Sequence, residues 1–377
     1  MSPVTQLVDK APIQSAPLAD IKRLPIIDYD AHPAYGKAFP KPTLKMRVKA
    51  LMTLAPWMGF VLGKRLAKMD RIPALPSYSG HISGGLLGRF RALPKYLPYI
   101  LNGYKQDLVG LFSASQHSKI DPKFKSQADE FVETGFLVGD LEENELEHLQ
   151  QLVAKPIADL RKSRAEATER TFVGNTRFFN TGDDKELFDA MNTYMEKHGM
   201  LAAAGAYIGR PVKVTHLLIQ INDPNDKYFH GNFVDVNLPD SPCKYMHVDK
   251  SYDMVKCVVY LNQVGMDNGA FSFVLGSQKV RPLGFEGVLR RAVDRAGLSG
   301  SKPEIRRMFM ALPKFLRKKC TFGLDLLEGT PDCDAMLKSE LYLTSEMGNI
   351  GLFANNGVHR GGLTKTGERI VFFATIA

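Results

Sequence analysis

Cysteine is scarce in this sequence, and no two cysteines stand at a metal-binding spacing. The chain of 377 residues has four, Cys243, Cys257, Cys320 and Cys333. Zinc ribbons and dithiol redox sites use pairs of cysteines with two residues between them. Disulfide scaffolds have many more cysteines for a chain of a given length. The pattern argues against both kinds of site and predicts reduced thiols in a cytoplasmic protein.

Long hydrophobic runs are also missing. The apolar stretch from Ala50 to Gly63 has fourteen uncharged residues and is interrupted by Pro56, whereas a membrane-spanning helix needs roughly 20 apolar residues. The stretch lies too far into the chain to be a signal peptide. We therefore expect no transmembrane segment here.

Acidic residues are almost absent from the region around this stretch. Between residues 36 and 105 there are thirteen Lys or Arg residues and one acid, Asp70, a net charge of +12. The whole chain carries +9, so the remainder carries +9 minus +12, or −3. We interpret residues 1–121 as a basic accessory region. Basic charge can attract nucleic acid, but no nucleic-acid-binding motif accompanies it, and we expect no such partner.

Two interpretations of the basic-flanked apolar stretch stay open. It could be a helix packed on the protein's own core with a solvated basic rim. Alternatively, residues 45–68 could lie in a membrane interface with their cations toward anionic headgroups. The only tryptophan, Trp57, and Phe60 would then contact the bilayer.

Residues 122–377 have clear helix and strand patterns and are predicted to form one domain. Asp140 is expected to cap a helix, and a second helix is expected from about Asp184 to Ala206. Five runs rich in β-branched and aromatic residues follow, at 212–223, 254–264, 270–277, 349–355 and 369–377. Strands that follow helices in this way predict an α+β fold, with a β-sandwich or barrel and helices on its outside.

A mostly helical insertion at about 284–346 separates the third strand-like run from the fourth. Between Gly284 and Cys320 it has ten basic residues and three acidic ones. It could be an ordinary pair of solvated helices. It could also be a lid over a pocket, with basic side chains that meet an anionic substrate.

The tripeptide His247-Val248-Asp249 lies just before the second strand-like run. Side chains at i and i+2 of an extended chain point to the same side, so His247 and Asp249 could bind one metal ion. His359 is the best candidate for a third ligand, because it follows a strand-like run and is the only histidine beyond the pair. Two imidazoles and one carboxylate on one face are the arrangement of non-haem iron(II) oxygenases.

Arg369 begins the last strand-like run, ten residues after His359. A guanidinium that enters a pocket from a strand is costly unless it meets a carboxylate, and its planar fork fits one. The neighbouring Arg360 could compete for this role. In an extended chain, however, it would project to the face opposite His359, so we prefer Arg369.

Three further residues are candidates for the same pocket. Gln220 could face it from the first strand-like run and hydrogen-bond a co-substrate, although a strand glutamine can equally point to solvent. Lys250 and Tyr252 follow Asp249 closely enough to contact a substrate.

With these residues in place, the chain from about residue 125 to 377 resembles the phytanoyl-CoA dioxygenase family of iron(II)- and 2-oxoglutarate-dependent oxygenases. "FVETGFLVGDLEENELEHL" is similar to the family's opening strand and helix. "DNGAFSFVLGSQK" is similar to its Asn-Gly turn and Pro-Gly-Ser-His-Lys segment, with Leu275 in place of the proline and Gln278 in place of the histidine. The basic insertion lengthens the separation of His247 and His359, and residues 1 to about 120 have no counterpart.

The resemblance implies a double-stranded β-helix, a jelly-roll or cupin-like core with flanking helices. It implies iron(II) bound by His247, Asp249 and His359, and 2-oxoglutarate whose distal carboxylate is bound by Arg369. The expected reaction is hydroxylation of a C–H bond in a small-molecule substrate, lipid-like or anionic, with release of succinate and CO2. The alternative is a catalytically silent protein of the same fold that binds an anionic partner or a membrane surface through its basic N-terminal region.

Overall fold

The computed structural model describes residues 26–66, 120–166, 176–180, 184–209, 211–224, 233–237, 246–249, 254–279, 285–320, 325–345 and 348–377. The strands within these ranges are β1 (Phe136–Asp140), β2 (Thr176–Asn180), β3 (Val214–Asn222), β4 (Val255–Tyr260), β5 (Phe271–Val274), β6 (Glu340–Leu343), β7 (Asn349–Ala354), β8 (His359–Gly361) and β9 (Arg369–Ile376). The helices are α1 (Leu44–Leu66), α2 (Lys125–Thr134), α3 (Glu143–Glu166), α4 (Lys185–Lys197), α5 (Met200–Ile208), α6 (Phe285–Arg295), α7 (Pro303–Met310), α8 (Lys314–Arg317) and α9 (Pro331–Leu337).

The strands form two sheets. Six make the larger sheet in the order β1-β7-β4-β9-β3-β2, and three make the smaller sheet in the order β6-β5-β8. Every pairing is antiparallel. The five predicted runs correspond to β3, β4, β5, β7 and β9 and are confirmed, whereas β2, β6 and β8 are additional strands.

The two sheets face each other across an aromatic core. Phe136 of β1 and Phe273 of β5 have ring centroids 5.6 Å apart, and Phe271 of β5 and Phe353 of β7 have centroids 4.6 Å apart. Tyr260 of β4 is buried in the same cluster. Two antiparallel sheets packed face to face, with helices outside, agree with the predicted α+β class. The double-stranded β-helix connection pattern stays an expectation.

Helices α2 to α5 cover the other face of the larger sheet. Leu217, Ile219 and Ile221 of β3 are buried in that helix-facing cluster together with Leu149 of α3 and Met191 of α4. Side chains alternate along a strand, so Leu218, Gln220 and Asn222 point the opposite way, toward the smaller sheet. This alternation decides which polar groups of β3 can reach the space between the sheets.

The start of α3 differs from the sequence prediction. Asp140 lies before the helix: it is the last residue of β1 and pairs with Asn349 of β7. The helix begins only at Glu143. The carboxylate of Glu145 accepts the Glu142 N–H at 2.9 Å, and so one of the unpaired amides at this helix end is satisfied from within the first turn.

The helix expected from Asp184 to Ala206 is two helices. Asp184 does cap α4, since its side chain accepts the Leu187 N–H at 3.1 Å. Gly199 then adopts a left-handed conformation (φ 75°), which glycine takes without steric cost, and it separates α4 from α5.

Residues 26–61 form one hydrophobic cluster with residues of 285–337, which we call the insertion core. Tyr29 and Leu54 are buried there with Leu289 of α6 and Phe309 of α7, and the rings of Tyr29 and Phe309 are 4.7 Å apart. The described part of the basic N-terminal region is therefore packed on the insertion. The domain division at residue 121 stays a prediction.

Buried polar groups join these two segments. The side chain of Arg306 is fully buried; it donates to the Ala34 carbonyl at 2.9 Å and forms an ion pair with Asp235. His32 is buried nearby: its Nδ1 accepts the Ala34 N–H at 3.1 Å, which leaves Nε2 to donate to the Asp325 carbonyl at 2.9 Å. Burial disfavours the imidazolium and lowers the pKa of His32 to about 4.

The insertion predicted at about 284–346 is helical only as far as α9. Glu340–Leu343 form β6, which pairs with β5 in the smaller sheet, so the prediction for the last residues of the insertion is wrong. No helix in the described part of the chain is both long enough and apolar enough to span a membrane.

Candidate metal centre

A short antiparallel bridge brings His247 beside His359. Each of these residues donates its backbone N–H to the carbonyl of the other, both at 2.9 Å. Two residues on, the Asp249 N–H donates to the Asn355 carbonyl at 3.1 Å. The chain from 247 to 249 is thus held against the turn between β7 and β8, and His359 is held on its other edge by β5.

The side chains of His247, Asp249 and His359 converge, and one potential ligand atom from each lies within 4.8 Å of the other two. Nε2 of His247 is 3.6 Å from Asp249 Oδ1, and Nε2 of His359 is 3.5 Å from Asp249 Oδ2. Metal–ligand bonds of about 2.0–2.2 Å place donor atoms roughly 3 Å apart. Small side-chain adjustments would therefore let all three residues bind one ion.

The buried ring of His359 is oriented by a hydrogen bond on its far side. Its Nδ1 lies 2.9 Å from the Gly357 carbonyl, which can only accept, so Nδ1 carries the proton. Nε2, which faces Asp249 Oδ2 at 3.5 Å, is then the nitrogen available to a metal ion. A backbone carbonyl bonded to the second nitrogen is the usual way in which proteins fix a metal-binding imidazole.

Lys256 of β4 is a partner of the site that the sequence does not single out. Its Nζ lies 2.5 Å from Asp249 Oδ2. Burial alone would raise the pKa of Asp249, but Lys256, His359 and His247 together hold that pKa well below its usual range. Asp249 is therefore ionised and available as a ligand, and any ion would share its carboxylate with an ammonium group.

Arg369 is buried at the start of β9 and lies beside β8. A Cβ atom placed on Gly361 would be 3.3 Å from Arg369 Nη2, so the guanidinium occupies the space that a side chain at residue 361 would take. Gly361 is two residues after His359 in the same strand, and positions i and i+2 share a face. The guanidinium is thus on the His359 side of β8, about 7 Å along the strand at a rise of about 3.4 Å per residue.

Asn222 of β3 holds this guanidinium in place. Its Oδ1 accepts from Arg369 Nη2 at 2.9 Å and from Nε at 3.3 Å, while Nη1 donates to the Gly269 carbonyl. Gln220 donates its side-chain amide to the same Asn222 oxygen at 2.6 Å. Gln220 and Asn222 both point toward the smaller sheet, so Gln220 lies beside the partner of Arg369.

Arg360 lies on the opposite face of β8. Its guanidinium contacts Glu340 Oε2 at 2.8 Å and the Tyr342 hydroxyl at 2.7 Å, both on β6, and Ser272 of β5 donates to Glu340 Oε1 at 2.5 Å. This polar cluster covers the outer face of the smaller sheet. Arg360 is therefore directed away from the three converging side chains.

The segment that departs from the family pattern supports the site from behind. Ser277 Oγ accepts the N–H of Val358, the residue before His359, at 2.8 Å. Gln278, where the family has histidine, is buried and donates to the carbonyls of Val132 and Glu133 at the end of α2. These bonds tie the start of β8 to the helix layer.

Two predicted substrate contacts, Lys250 and Tyr252, lie outside the described residues. Asn222 and Lys256 are the neighbours that sequence reasoning missed. The signal for Asn222 was its position two residues after Gln220 in one strand. Lys256 had no signal beyond a cation in a strand, because its approach to Asp249 depends on where β4 lies in the sheet.

No protein family model matches this chain, and no curated protein matches it. Among solved structures, similarity is found to the epimerase SnoN in complex with Fe3+, alpha ketoglutarate and nogalamycin RO. The identity is 15%, the match covers 67% of this chain and 83% of that one, and the TM-score is 0.40.

Two further structures match over the same share of this chain. EctD from S. alaskensis with 2-oxoglutarate and 5-hydroxyectoine has 14% identity, 75% of its own chain covered and a TM-score of 0.37. HygX from Streptomyces hygroscopicus with nickel and 2-oxoglutarate bound has 16% identity, 86% covered and a TM-score of 0.37. TM-scores of this size do not establish a shared fold, so the chemistry of the site must be judged from its own residues.

Proposed function

We propose that this protein is a non-haem Fe(II)- and 2-oxoglutarate-dependent dioxygenase built on a double-stranded β-helix. The substrate we propose is a small molecule, lipid-like or anionic, hydroxylated at an unactivated C–H bond. The observation that carries the proposal is the position of Arg369, buried on the His359 side of β8 and two residues along from the converging His247, Asp249 and His359.

The donor set fits a first-row divalent metal ion. Two imidazole nitrogens and one carboxylate oxygen come from one side, so several coordination positions stay open for other molecules. The His359 tautomer and the ionised Asp249 are both in the form that binds a metal. These donors suit iron, nickel or zinc alike, and the preference for iron comes from the family resemblance.

Arg369 fits the distal carboxylate of 2-oxoglutarate. A buried guanidinium is strongly stabilised by a carboxylate, which its planar fork can bind through two hydrogen bonds. Asn222 and the Gly269 carbonyl fix its plane before any ligand arrives. Gly361 leaves room for the guanidinium, since a larger residue there would collide with it.

Iron with 2-oxoglutarate and O2 supplies the oxidation of a C–H bond, with release of succinate and CO2. The protein's own residues position these reactants: His247, Asp249 and His359 on one side, and Arg369 at the distal end. Phe271 and Phe353 of the aromatic core adjoin this space, with ring centroids 5.7 and 4.9 Å from that of His359.

Anaerobic titration of the Fe(II)-loaded protein with 2-oxoglutarate tests the proposal. We expect saturable binding, and succinate release once O2 is admitted. His247→Ala should abolish both, whereas Arg360→Ala, the matched change on the opposite face of β8, should retain them. Absence of 2-oxoglutarate binding in the wild-type protein would reject the proposal.

A catalytically silent protein of the same fold is the second candidate, and the contact between Lys256 and Asp249 favours it. An ammonium 2.5 Å from the carboxylate can satisfy Asp249 without a metal ion. This candidate predicts no uptake of Fe(II), Mn(II) or Co(II) at stoichiometric concentration. Stoichiometric uptake that disappears in His247→Ala would exclude it.

A further inference from the structure

Helix α1 has two apolar faces, and only one of them packs on the protein. Leu54 and Val61 are buried in the insertion core, and Trp57 and Phe60 pack against it with their rings 6.0 Å apart. The guanidinium of Arg295 in α6 lies 5.6 Å from the Phe60 ring. Trp57 and Phe60, both partly buried, therefore contact the protein's own core, and the more exposed apolar residues of α1 lie elsewhere on the helix.

The outer face of α1 is an exposed apolar stripe. Leu44, Val48 and Met52 are 78%, 52% and 68% exposed, and Leu62 continues the stripe three turns later. At 3.6 residues per turn these four positions fall within a sector of about 80°. An apolar face of this length would normally be covered, because exposed hydrophobic patches mark surfaces that bind something.

Cations flank the stripe on both sides. At 100° per residue, Lys45 and Lys49 lie on one flank, about 20° and about 60° from the edge of the stripe, and Arg47 lies about 60° from the other edge. All three side chains are exposed. An apolar centre with cations on either side matches the layered chemistry of an anionic bilayer surface.

A cleft adjoins the first two turns of the stripe. It has a volume of about 610 Å³ and lies between the start of α1 and the turn from α7 to α8. Leu44, Val48 and Leu51 form its apolar wall, and Arg47 and Lys41 bring positive charge to its rim. Such a space suits an anionic amphiphile, with its chain on the wall and its head at the rim.

We propose that the outer face of α1, together with the adjoining cleft, docks on a membrane surface that contains anionic phospholipid. The helix lies in the plane of the headgroups with Leu44, Val48 and Met52 inserted. The inner face of α1 shares the insertion core with Met246 and Val358, which directly precede His247 and His359. One hydrophobic cluster therefore connects the docked helix with the residues next to the candidate metal centre.

The docking proposal extends beyond the proposed enzyme activity and is tested separately from it. Metal-free full-length protein is mixed with phosphatidylcholine vesicles, with or without phosphatidylserine, and the bound fraction is measured by co-sedimentation. We expect at least about tenfold stronger binding to the anionic vesicles at low salt and a marked loss at high salt, since screening weakens exposed charges. Equal or absent binding to the two vesicle types would overturn the proposal.

A matched pair of double variants locates the surface. Val48→Glu with Met52→Glu places two charges on the stripe, and we expect it to reduce anionic-vesicle binding at least about tenfold. Val132→Glu with Met266→Glu makes the same changes at residues that are 45% and 54% exposed elsewhere, and it should bind as wild type does. Equal loss in both variants, or in neither, would contradict docking through α1.

Two other occupants would give different results. If a second copy of the chain covers the stripe, the wild type will sediment as a dimer that Val48→Glu with Met52→Glu dissociates. If residues outside the described ranges cover it, the wild type will stay monomeric and leave anionic vesicles unbound. Either outcome rejects the membrane surface as the occupant.

Discussion

The core between the two sheets and the insertion core meet near the metal centre, but they are built differently. Rings from β1, β5 and β7 fill the first, with partners set by strand register. The second buries charged groups, among them Arg306, Asp294 and Asp325. A buried charge is costly when its partner is lost, whereas an apolar core tolerates change more evenly. The sheets therefore hold the site, and the insertion core is the part whose stability depends on single contacts.

Loss of a metal ligand should separate activity from stability most clearly. His247→Ala and Asp249→Ala should each abolish iron-dependent succinate release, because two donors cannot hold the ion in the required geometry. The melting temperature of the metal-free protein should change little, since His247 is partly exposed and packs on the rim of the sheets. Turnover retained in either variant would reject the assigned ligands.

Arg306→Ala should have the opposite effect: it should lower the stability of the protein and leave iron-dependent succinate release in the folded protein. It removes a fully buried cation that bonds Ala34 and Asp235, and we expect about 3–5 kcal/mol of destabilisation in urea unfolding. Arg307→Ala, one residue on and exposed, is the matched control and should cost less than about 1 kcal/mol. Similar losses for both would show that the polar contact of Arg306 contributes little.

Acid should weaken the insertion core before it weakens the sheets. The pKa of His32 is about 4 in the folded protein against 6.5 for a free side chain, so the unfolded chain binds more protons between these values. Stability should fall as pH drops from 6.5 toward 4, by up to about 1.4 kcal/mol per pH unit. His32→Asn should flatten this part of a plot of melting temperature against pH. An unchanged slope would mean that His32 does not titrate in this way.

Arg369→Ala should lower the affinity for 2-oxoglutarate while metal binding is retained. Loss of charge-assisted hydrogen bonds of about 1.5–3 kcal/mol corresponds to roughly 10- to 100-fold weaker binding. Calorimetric titration of the Mn(II)-loaded protein would measure it. Arg360→Ala should bind 2-oxoglutarate as wild type does, and a reversed order would transfer the role to Arg360.

The smallest expected effect concerns the cation inside the site. Lys256→Met removes an ammonium that competes for Asp249 and repels a dication, so Co(II) affinity should rise about tenfold, or about 1.4 kcal/mol. Lys213→Met, at an exposed lysine on the N-terminal side of β3, is the control and should leave the affinity unchanged. A fall in affinity in Lys256→Met would instead show that Lys256 holds Asp249 in place for the metal.

Local patterns explain which features could be predicted from the sequence. Strands such as β4 and β9 are rich in β-branched and aromatic residues, and His247 and Asp249 share a face by simple alternation. To predict the whole site, one further assumption was needed: that His359, far along the chain, lies beside His247 and Asp249. The break at Gly199 was missed because the apolar positions continue in helical spacing on both sides of it.

Features that depend on neighbours in space could not be predicted. Lys256 meets Asp249, and Asn222 meets Arg369, only because particular strands lie side by side in a particular register. The packing of residues 26–66 on the insertion is of the same kind. These two segments are far apart in the sequence, and the residue pattern of one does not indicate that it packs on the other.

The reciprocal bridge between residues 247 and 359 closes a loop of 359 minus 247, or 112, residues, and the insertion lies within that loop. An ion held by His247, Asp249 and His359 would crosslink the two ends of this loop. The crosslink would be reversible, because it would form only when metal is bound, but it would constrain the chain as a disulfide does. The entropy cost of closing a loop grows slowly with its length. Residues could therefore be added to the loop or removed from it with little effect on the stability of the bridge between residues 247 and 359. The insertion within this loop could thus diverge in length and charge while the bridge between His247 and His359 stays unchanged.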